Sequence, residues 1–414
     1  MQRICAELKR RGFAPVAPPA GEDWVFVGAS AVEDFLGQLH GALAAGRNVV
    51  LVGPDWPPAD LQEAERRVGA FSRTPEAARW REAEGPLVLI ATSGTTGERR
   101  FAVHAESTLR AAAEAFVERF GAAAAASWNV LPLHHVGGLM TLVRALVAEA
   151  PWGHGHYRSL CEEAPPSAWR ASLSLVPTHL HRLMEDSVAQ RRLRLFDRLF
   201  VGGAALGARE ASRARGFELP LAPCYGLTET AAMIASLEPA EFLAGGDSCG
   251  LPLPHVELVF VEGAGTKAAP GAIGVRAPSV ALGLVPQVGF ARDPLWTSDL
   301  GYRDAQGRLF VRGRLDRMIL SGGEKIDPNH VEDILRGAFG TDDIIVMGMP
   351  DADWGQRVVA VCTPDLSAEA REGGTWRGLL RAAERPKGWV EVPSIPRTPL
   401  GKVDLAALRR QLPE

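Results

Sequence analysis

Lysine is nearly missing from this chain. The basic side chains of its 414 residues are forty arginines and five lysines, the latter at positions 9, 267, 325, 387 and 402. Where a sequence has drifted so far towards arginine, a retained lysine in an unusual setting is a candidate for work that needs a compact ammonium. That singles out Lys402 and, after it, Lys325 and Lys387. Cysteine is sparse too. Cys5, Cys161, Cys224, Cys249 and Cys362 stand without paired spacing, which argues against a disulfide framework or thiolate zinc site and for small buried apolar residues in a reducing compartment. No uninterrupted apolar run is long enough to span a bilayer, and Met1-Gln2-Arg3-Ile4-Cys5 runs into charged residues rather than an apolar signal core. A cytoplasmic location is expected. A net charge of −4 gives nucleic acid or an anionic membrane no electrostatic hold.

What is present is the balance of a globular enzyme, with 46% hydrophobic and 23% charged residues. The length exceeds one ordinary core and favours two folded units. To about Gly85 the chain mixes short amphipathic segments with one strand-like run, Asn48 to Val52, and shows no recognisable chemistry. From Pro86 a buried strand, Leu87 to Ala91, enters a Gly/Thr-rich turn, and an Ala-rich helix follows from about Ser107. Strand, loop and helix then recur: Trp128 to Leu133 before His134, Ser172 to Val176 before Pro177, Leu199 to Val201 before Gly202. The alanines 122 to 126 fit a helix. This alternation predicts an α/β architecture whose strand-end loops carry function. Beyond Gly245 the texture changes to short β segments such as Val256 to Val261 and Arg308 to Arg312. From about Arg317 a small α+β unit follows, with a helix after Asp327-Pro328, strands at Ile344 to Met347 and Val358 to Val361, and a surface loop at Gly373-Gly374.

Thr92-Ser93-Gly94-Thr95-Thr96-Gly97 places several backbone N–H groups and hydroxyls on one tight turn. Glycines let such a backbone curl into an anion-binding nest, and polyphosphate is its natural ligand. No Gly-Lys-Ser/Thr closes it, so it is not a Walker loop; Arg99 and Arg100 are placed to screen phosphate charge instead. An ordinary surface turn has the same composition.

Ser93-Gly94-Thr95-Thr96-Gly97 after a strand resembles the phosphate loop of the adenylate-forming superfamily of acyl-CoA synthetases, peptide-synthetase adenylation domains and luciferases. The family's usual Pro-Lys-Gly continuation is replaced by Arg99-Arg100-Phe101, which keeps a positive charge at Arg100. The resemblance extends along most of the chain from Pro86. Leu131 to Leu139, containing His134, His135, Val136, Gly137 and Gly138, is similar to the segment lining the family's acyl pocket, and His135 matches the residue that gates the carboxylate. Ser174 to Thr178 resembles the pocket floor, with Thr178 on the following turn. Gly202, Gly203 and Ala204 resemble the loop lying against adenine. Cys224-Tyr225-Gly226-Leu227-Thr228-Glu229 is the most specific match. It implies Tyr225 stacked on adenine, Thr228 near the α-phosphate and Glu229 holding magnesium, an ion that takes hard oxygen ligands. Asp299 matches the ribose acid, and an ionised carboxylate is an acceptor suited to a diol. Arg314 lies near ribose and phosphate in the match, and Asp316 takes the hinge. Ser321-Gly322-Gly323 resembles the glycine loop of the thioester-forming face. Pro396 to Val403 resembles the ending that carries the catalytic lysine, Lys402, whose ammonium stabilises charge building on the leaving pyrophosphate.

The resemblance implies a large amino-terminal domain of mixed β-sheets and helices, residues 1–315, and a small mobile α+β carboxyl-terminal domain, residues 316–414. It implies a ligase using ATP, Mg2+ and coenzyme A to turn a small-molecule carboxylate into acyl-AMP and then a thioester. Leu133 to Met140, Ser174 to Thr178, Leu221-Ala222-Pro223 and Glu241 to Gly245 fit best the branch that acts on 2-succinylbenzoate in menaquinone or phylloquinone synthesis. Such a substrate has two carboxylates, and Arg144, a turn or two past His135, is the candidate for the second; a surface arginine is the competing assignment. A ligase for another aryl or short acyl acid, and a non-enzymatic nucleotide-binding relative, are the alternatives.

Overall fold

The computed structural model describes residues 2–19, 23–92, 99–261, 264–287, 294–364, 366, 371, 374, 376–398 and 403–412. Ser93, Gly94, Thr95, Thr96, Gly97, Gly373 and Lys402 therefore lie outside the described residues. The described strands form four sheets. The first runs in the order Trp24–Val27, Asn48–Leu51, Val88–Thr92, Arg100–His104, Gly283–Val285; its first three strands are parallel and the last two antiparallel. The second runs Leu251–Pro252, Ala232–Ser236, Leu221–Leu227, Arg198–Val201, Ser172–Leu175, Ser127–Asn129, Trp152–His154. From Leu221–Leu227 onward its strands are all parallel. A third, antiparallel sheet joins Glu257–Phe260, Gly271–Arg276, Leu295–Arg303 and Leu309–Arg314. The fold is the mixed α/β arrangement the sequence predicts.

Two helices, Glu106–Phe120 and Val136–Val147, lie between the first two sheets. Val49, Leu51, Val88 and Ile90 of the first sheet share a buried cluster with Leu109, Ala112, Leu139 and Leu142. On the opposite side Ala115 and Phe116 meet Phe200, Ala222 and Met233 of the second. Val136–Val147 is apolar nearly all round, as a helix without a solvent face must be, and Arg144 is its only charged residue.

Strands from Ile319 onward form the fourth sheet, Glu324–Ile326, Ile319–Ser321, Gly355–Cys362 and Ile344–Asp351, with Gly388–Glu391 added beside Gly355–Cys362. The helix Pro328–Phe339 packs on it through Val331 and Leu335 against Ile344, Val346, Val358 and Ala360. Asp327 accepts a hydrogen bond from Asn329 N at 3.0 Å, proline follows, and Gly340 ends the helix at φ +66°, the start and stop chemistry of a stable helix.

Several predicted boundaries move. The strand expected over 128–133 stops at Asn129, because its amide turns the chain: Nδ2 donates to Leu131 O at 2.8 Å and Oδ1 accepts from Leu131 N at 3.2 Å, a local competitor to the ladder. The alanines form a 3-10 turn, Ala122–Ala125, since Gly121 at φ +82° has already ended the preceding helix. The amino-terminal region adds a strand, Trp24–Val27, too short for its alternation to register. No described helix is long and apolar enough to cross a membrane.

Candidate active site

In open α/β sheets ligands bind outside the carboxyl ends of the strands, and the sequence motifs gather there. The second sheet's strands end at Asn129, Leu175, Val201 and Leu227. The segments that follow carry His134 and His135, Thr178, Gly202 to Ala204, and Thr228 with Glu229. Thr178 sits in the first turn of Pro177–Met184 and Val136 in that of Val136–Val147.

The cleft that the sequence assigns to nucleotide is assembled from three sheets. In the third, Asp299 and Arg314 are register partners on neighbouring strands, so their side chains emerge together. Arg314 Nη1 donates to Asp299 Oδ1 at 3.3 Å, and Tyr225 from the second sheet donates its hydroxyl to Asp299 Oδ2 at 2.6 Å. Burial first, then the adjoining Asp299 carboxylate, pushes the Tyr225 hydroxyl well above the usual phenol range, so it stays a donor. Cys224, next to it, is pushed up to about 12 by burial and remains a thiol rather than a nucleophile.

Glu229 lies in the same cleft. Burial raises its carboxyl pKa; Asp299 adds to this, while Arg100 and Arg314 oppose it. A carboxylate desolvated beside Arg100 and Arg314 fits a magnesium ion, which binds through one or two carboxylates plus phosphate oxygens. Its backbone is fixed from both sides. Ala281 N donates to Glu229 O at 2.8 Å, and His104 Nε2 meets Thr228 O at 2.8 Å. A carbonyl only accepts, so Nε2 carries the proton, and burial lowers the His104 pKa to about 4, which keeps the ring neutral in that tautomer. Gly226 is required here: a Cβ would come within 2.0 Å of Ala232 O. Ala231 and Ala232 complete the turn at φ +54° and +73°, a left-handed conformation non-glycine residues rarely hold outside functional turns.

The predicted phosphate loop is flanked by the register pair Thr92 and Arg100. Thr92 Oγ1 and Arg100 Nε are buried without a hydrogen-bond partner among the described residues, two donors available to an anion. Arg99 differs from its neighbour. Its guanidinium donates to Asp60 at 2.7 Å and lies 4.0 Å over the Trp56 ring, so of the two it is Arg100 that keeps an unpartnered donor for an anion among the described residues.

On the acyl side the rings of His134 and His135 are 4.4 Å apart. Burial, then His134 and Arg99, lowers the His135 pKa to about 3; burial likewise lowers that of His134. Both are neutral near pH 7. At Gly138 a Cβ would lie 2.2 Å from Pro132 O, so the chain's own turn requires glycine there. Arg144 is not on the surface. It is 6% exposed, its Nε has no hydrogen-bond partner among the described residues, and its guanidinium lies 4.3 Å over the Phe116 ring. Burial lowers its pKa to about 10, with Cys224 the neighbouring acidic group.

Arg314 also holds Asp316 in a two-pronged pair at 2.8 and 2.6 Å. Gly322 and Gly323 form the turn between Ile319–Ser321 and Glu324–Ile326, both at positive φ, and Ser321 is buried. Arg397 and Val403 bridge across the segment containing Lys402. Sequence reasoning missed His104, Trp56 and Asp55, whose charge acts on both histidines. His104 had a weak signal, alternating inward with Ala102 on its strand; the other two had none.

The model of the family described as AMP-binding enzyme matches residues 30–285. The chain is 31% identical to the indoleacetate–CoA ligase of Aromatoleum aromaticum over 401 residues, covering 89% of this chain and 76% of that protein. It is 27% identical to the 2-succinylbenzoate–CoA ligase of Enterococcus faecalis over 332 residues, 77% of this chain and 68% of the relative. The structure of o-succinylbenzoate CoA synthetase from Bacillus subtilis with its acyl-adenylate intermediate superimposes with a TM-score of 0.79 at 20% identity, over 98% of this chain and 91% of that one. With this match on more than half its length, the chain belongs to the AMP-binding enzyme family.

Proposed function

We propose that the protein is an AMP-forming acid–thiol ligase that joins a carboxylate to AMP and then transfers the acyl group to coenzyme A. The observation that carries this is Asp299, a buried carboxylate held by Tyr225 and Arg314 beside Glu229 and Arg100. A carboxylate is a poor electrophile, so thioester formation needs a leaving group, and AMP supplies one. The substrate carboxylate attacks the α-phosphorus and pyrophosphate leaves. Positioning and charge neutralisation by Thr92, Arg100 and the segment 93–97 provide the catalysis. Glu229 would hold a magnesium ion, which would supply neutralisation of phosphate charge when bound. Neutral His135 offers the carboxylate a hydrogen bond without competing as a cation. Tyr225 and the Gly202 to Ala204 loop border adenine, and Asp299 receives the ribose hydroxyls. In the second step the thiol attacks the acyl carbon and AMP departs.

Residues 1–315 form the ATP- and acyl-binding domain in this proposal, and 316–414 a mobile domain with Asp316 as hinge. That domain offers Lys402 for adenylation and the Ser321-Gly322-Gly323 face for thioester formation.

The substrate proposed is 2-succinylbenzoate, as in menaquinone or phylloquinone synthesis. Support comes from Arg144, a buried arginine on the helix that follows His135, whose Nε has no hydrogen-bond partner among the described residues. Burying an unpaired charge is costly unless something compensates it, and a second substrate carboxylate does so. A second reading, an aryl monoacid, is favoured by the similarity to indoleacetate–CoA ligase. Pyrophosphate release measured across 2-succinylbenzoate, indoleacetate and benzoate, with and without coenzyme A, separates them. Release with 2-succinylbenzoate well above the monoacids is expected; no release with any acid refutes the ligase itself.

A further inference from the structure

We propose that His181, Glu210 and Asp342 form a divalent-cation site, separate from the nucleotide cleft, that fastens the fourth sheet's unit to the second sheet's helices. Each offers one ligand atom, and these atoms all lie within 4.8 Å of one another. His181 Nδ1 and Glu210 Oε1 are 3.4 Å apart. A tetrahedral ion with bonds of about 2.0–2.1 Å sets its ligand atoms about 3.4 Å from each other, so this pair already has the spacing of a coordinated one.

A second observation concerns Glu210. It is 7% exposed, and its Oε1 is buried with no hydrogen-bond partner among the described residues. The adjoining carboxylate of Asp342 adds a second negative charge, and burial followed by Asp342 raises the Glu210 pKa. The arginines nearby are engaged elsewhere. Arg182 donates to Tyr157 at 2.8 Å, Arg213 pairs with Glu185 at 2.6 Å, and Arg209 donates to the Gly340 carbonyl. Two carboxylates, one buried, thus lie against each other beside the His181 imidazole, with none of these three arginines paired to either among the described residues, an arrangement that bound cations stabilise. One imidazole with two carboxylates suits Zn2+ or Mn2+ better than Mg2+, and three protein ligands leave a position for water.

The ligands come from three places: His181 from Pro177–Met184, Glu210 from Ala208–Gly216 and Asp342 from the segment after Pro328–Phe339. The first of these helices carries Thr178 in its first turn, and the second follows the Gly202 to Ala204 segment. The Arg209 contact to Gly340 brings the third to them independently of any ion. Bound metal would therefore hold the fourth sheet's unit in this position beside the cleft. The test is calorimetric titration of Zn2+, Mn2+ and Mg2+ into the full chain stripped with chelator and without nucleotide. One Zn2+ per chain is expected, with affinity weakened roughly tenfold or more in each of His181→Ala, Glu210→Gln and Asp342→Asn. Zn2+ should raise the melting temperature of the parent and leave that of Asp342→Asn unmoved. His181 is half-exposed, so its variant keeps the fold. Absence of Zn2+ binding, or binding that His181→Ala and Asp342→Asn leave unchanged, overturns the proposal, while the ligase reading is judged separately by pyrophosphate release.

Discussion

Replacing Arg144 with methionine is expected to make the protein more stable and a poorer enzyme. The buried guanidinium has its pKa lowered from 12.5 to about 10. A shift of that size corresponds to roughly 3 kcal/mol against the charged form in the folded state. The Phe116 ring at 4.3 Å returns part of this, about 1–2 kcal/mol for a desolvated cation over an aromatic face. Methionine fills similar space without a charge, so the free energy of unfolding should rise by roughly 1–2 kcal/mol. The substrate tells the opposite way. A hydrogen bond between guanidinium and carboxylate contributes roughly 1.5–3 kcal/mol, or about 10- to 150-fold in KM. Urea unfolding of the nucleotide-free protein and pyrophosphate release with 2-succinylbenzoate, ATP and benzoate give the two readings. KM for 2-succinylbenzoate should climb while those for ATP and benzoate hold. A variant that loses stability and keeps its KM for 2-succinylbenzoate would show that Arg144 is a packing residue of the Phe116 layer, and the dicarboxylate assignment would fall with it.

Tyr225→Phe removes the 2.6 Å bond to Asp299 and should raise KM for ATP roughly tenfold with little change in that for the acid; an unchanged ATP KM would place the ribose elsewhere. Lys402→Ala should abolish acyl-AMP formation while sparing thioester formation from supplied acyl-AMP, followed as pyrophosphate and thioester release; equal loss of both contradicts its role. Acid sensitivity follows from the histidines. His104, His179 and His255 are lowered to about 4 and His135 to about 3, chiefly by burial. Below the usual histidine pKa of about 6.5 the unfolded chain takes up protons the folded one refuses. Stability should therefore fall as pH drops from about 6.5 towards 4 and be insensitive to these groups above that window. Melting temperatures between pH 4.5 and 7.5 check this, and a flat profile on the acid side refutes it.

What the sequence made legible were contiguous segments whose backbone does the work. Asp327-Pro328 announced a helix start, and the runs ending at Leu175 and Val201 announced strands, because capping and apolar patterning are local. The cleft residues were legible as motifs, but their partnerships were not. Asp299 meets Tyr225 from a point 74 residues away, and His104 reaches Thr228 across 124; no spacing rule connects such pairs. Arg99 and Arg100 are adjacent and alike in composition. Strand alternation gives one to Asp60 and Trp56 and the other to the loop base, and only the pairing of Val88–Thr92 with Arg100–His104 decides which. The amino-terminal region seemed empty of chemistry for the same reason, since Trp56 and Asp55 matter only through what they touch.

Arg314 connects this cleft with the chain beyond it. Its Nε and Nη2 are occupied by Asp316 at 2.8 and 2.6 Å, and Nη1 reaches Asp299 more loosely at 3.3 Å. The two-pronged pair is the stronger contact in geometry, since bidentate carboxylate recognition adds orientation to charge. A carboxylate has a limited set of lone pairs, so a diol donating to Asp299 competes with Nη1 and leaves the Asp316 pair intact. In the proposed ligase, Arg314 and Asp316 would then form one unit whose side-chain tie to Asp299 weakens as the ribose site fills, while the Arg314 backbone keeps its place in the third sheet. Asp316 lies within the 3-10 turn Leu315–Arg317 that leads to Ile319, so in the proposed ligase occupancy of the nucleotide cleft would act where the chain passes into the fourth sheet, the place of the proposed hinge.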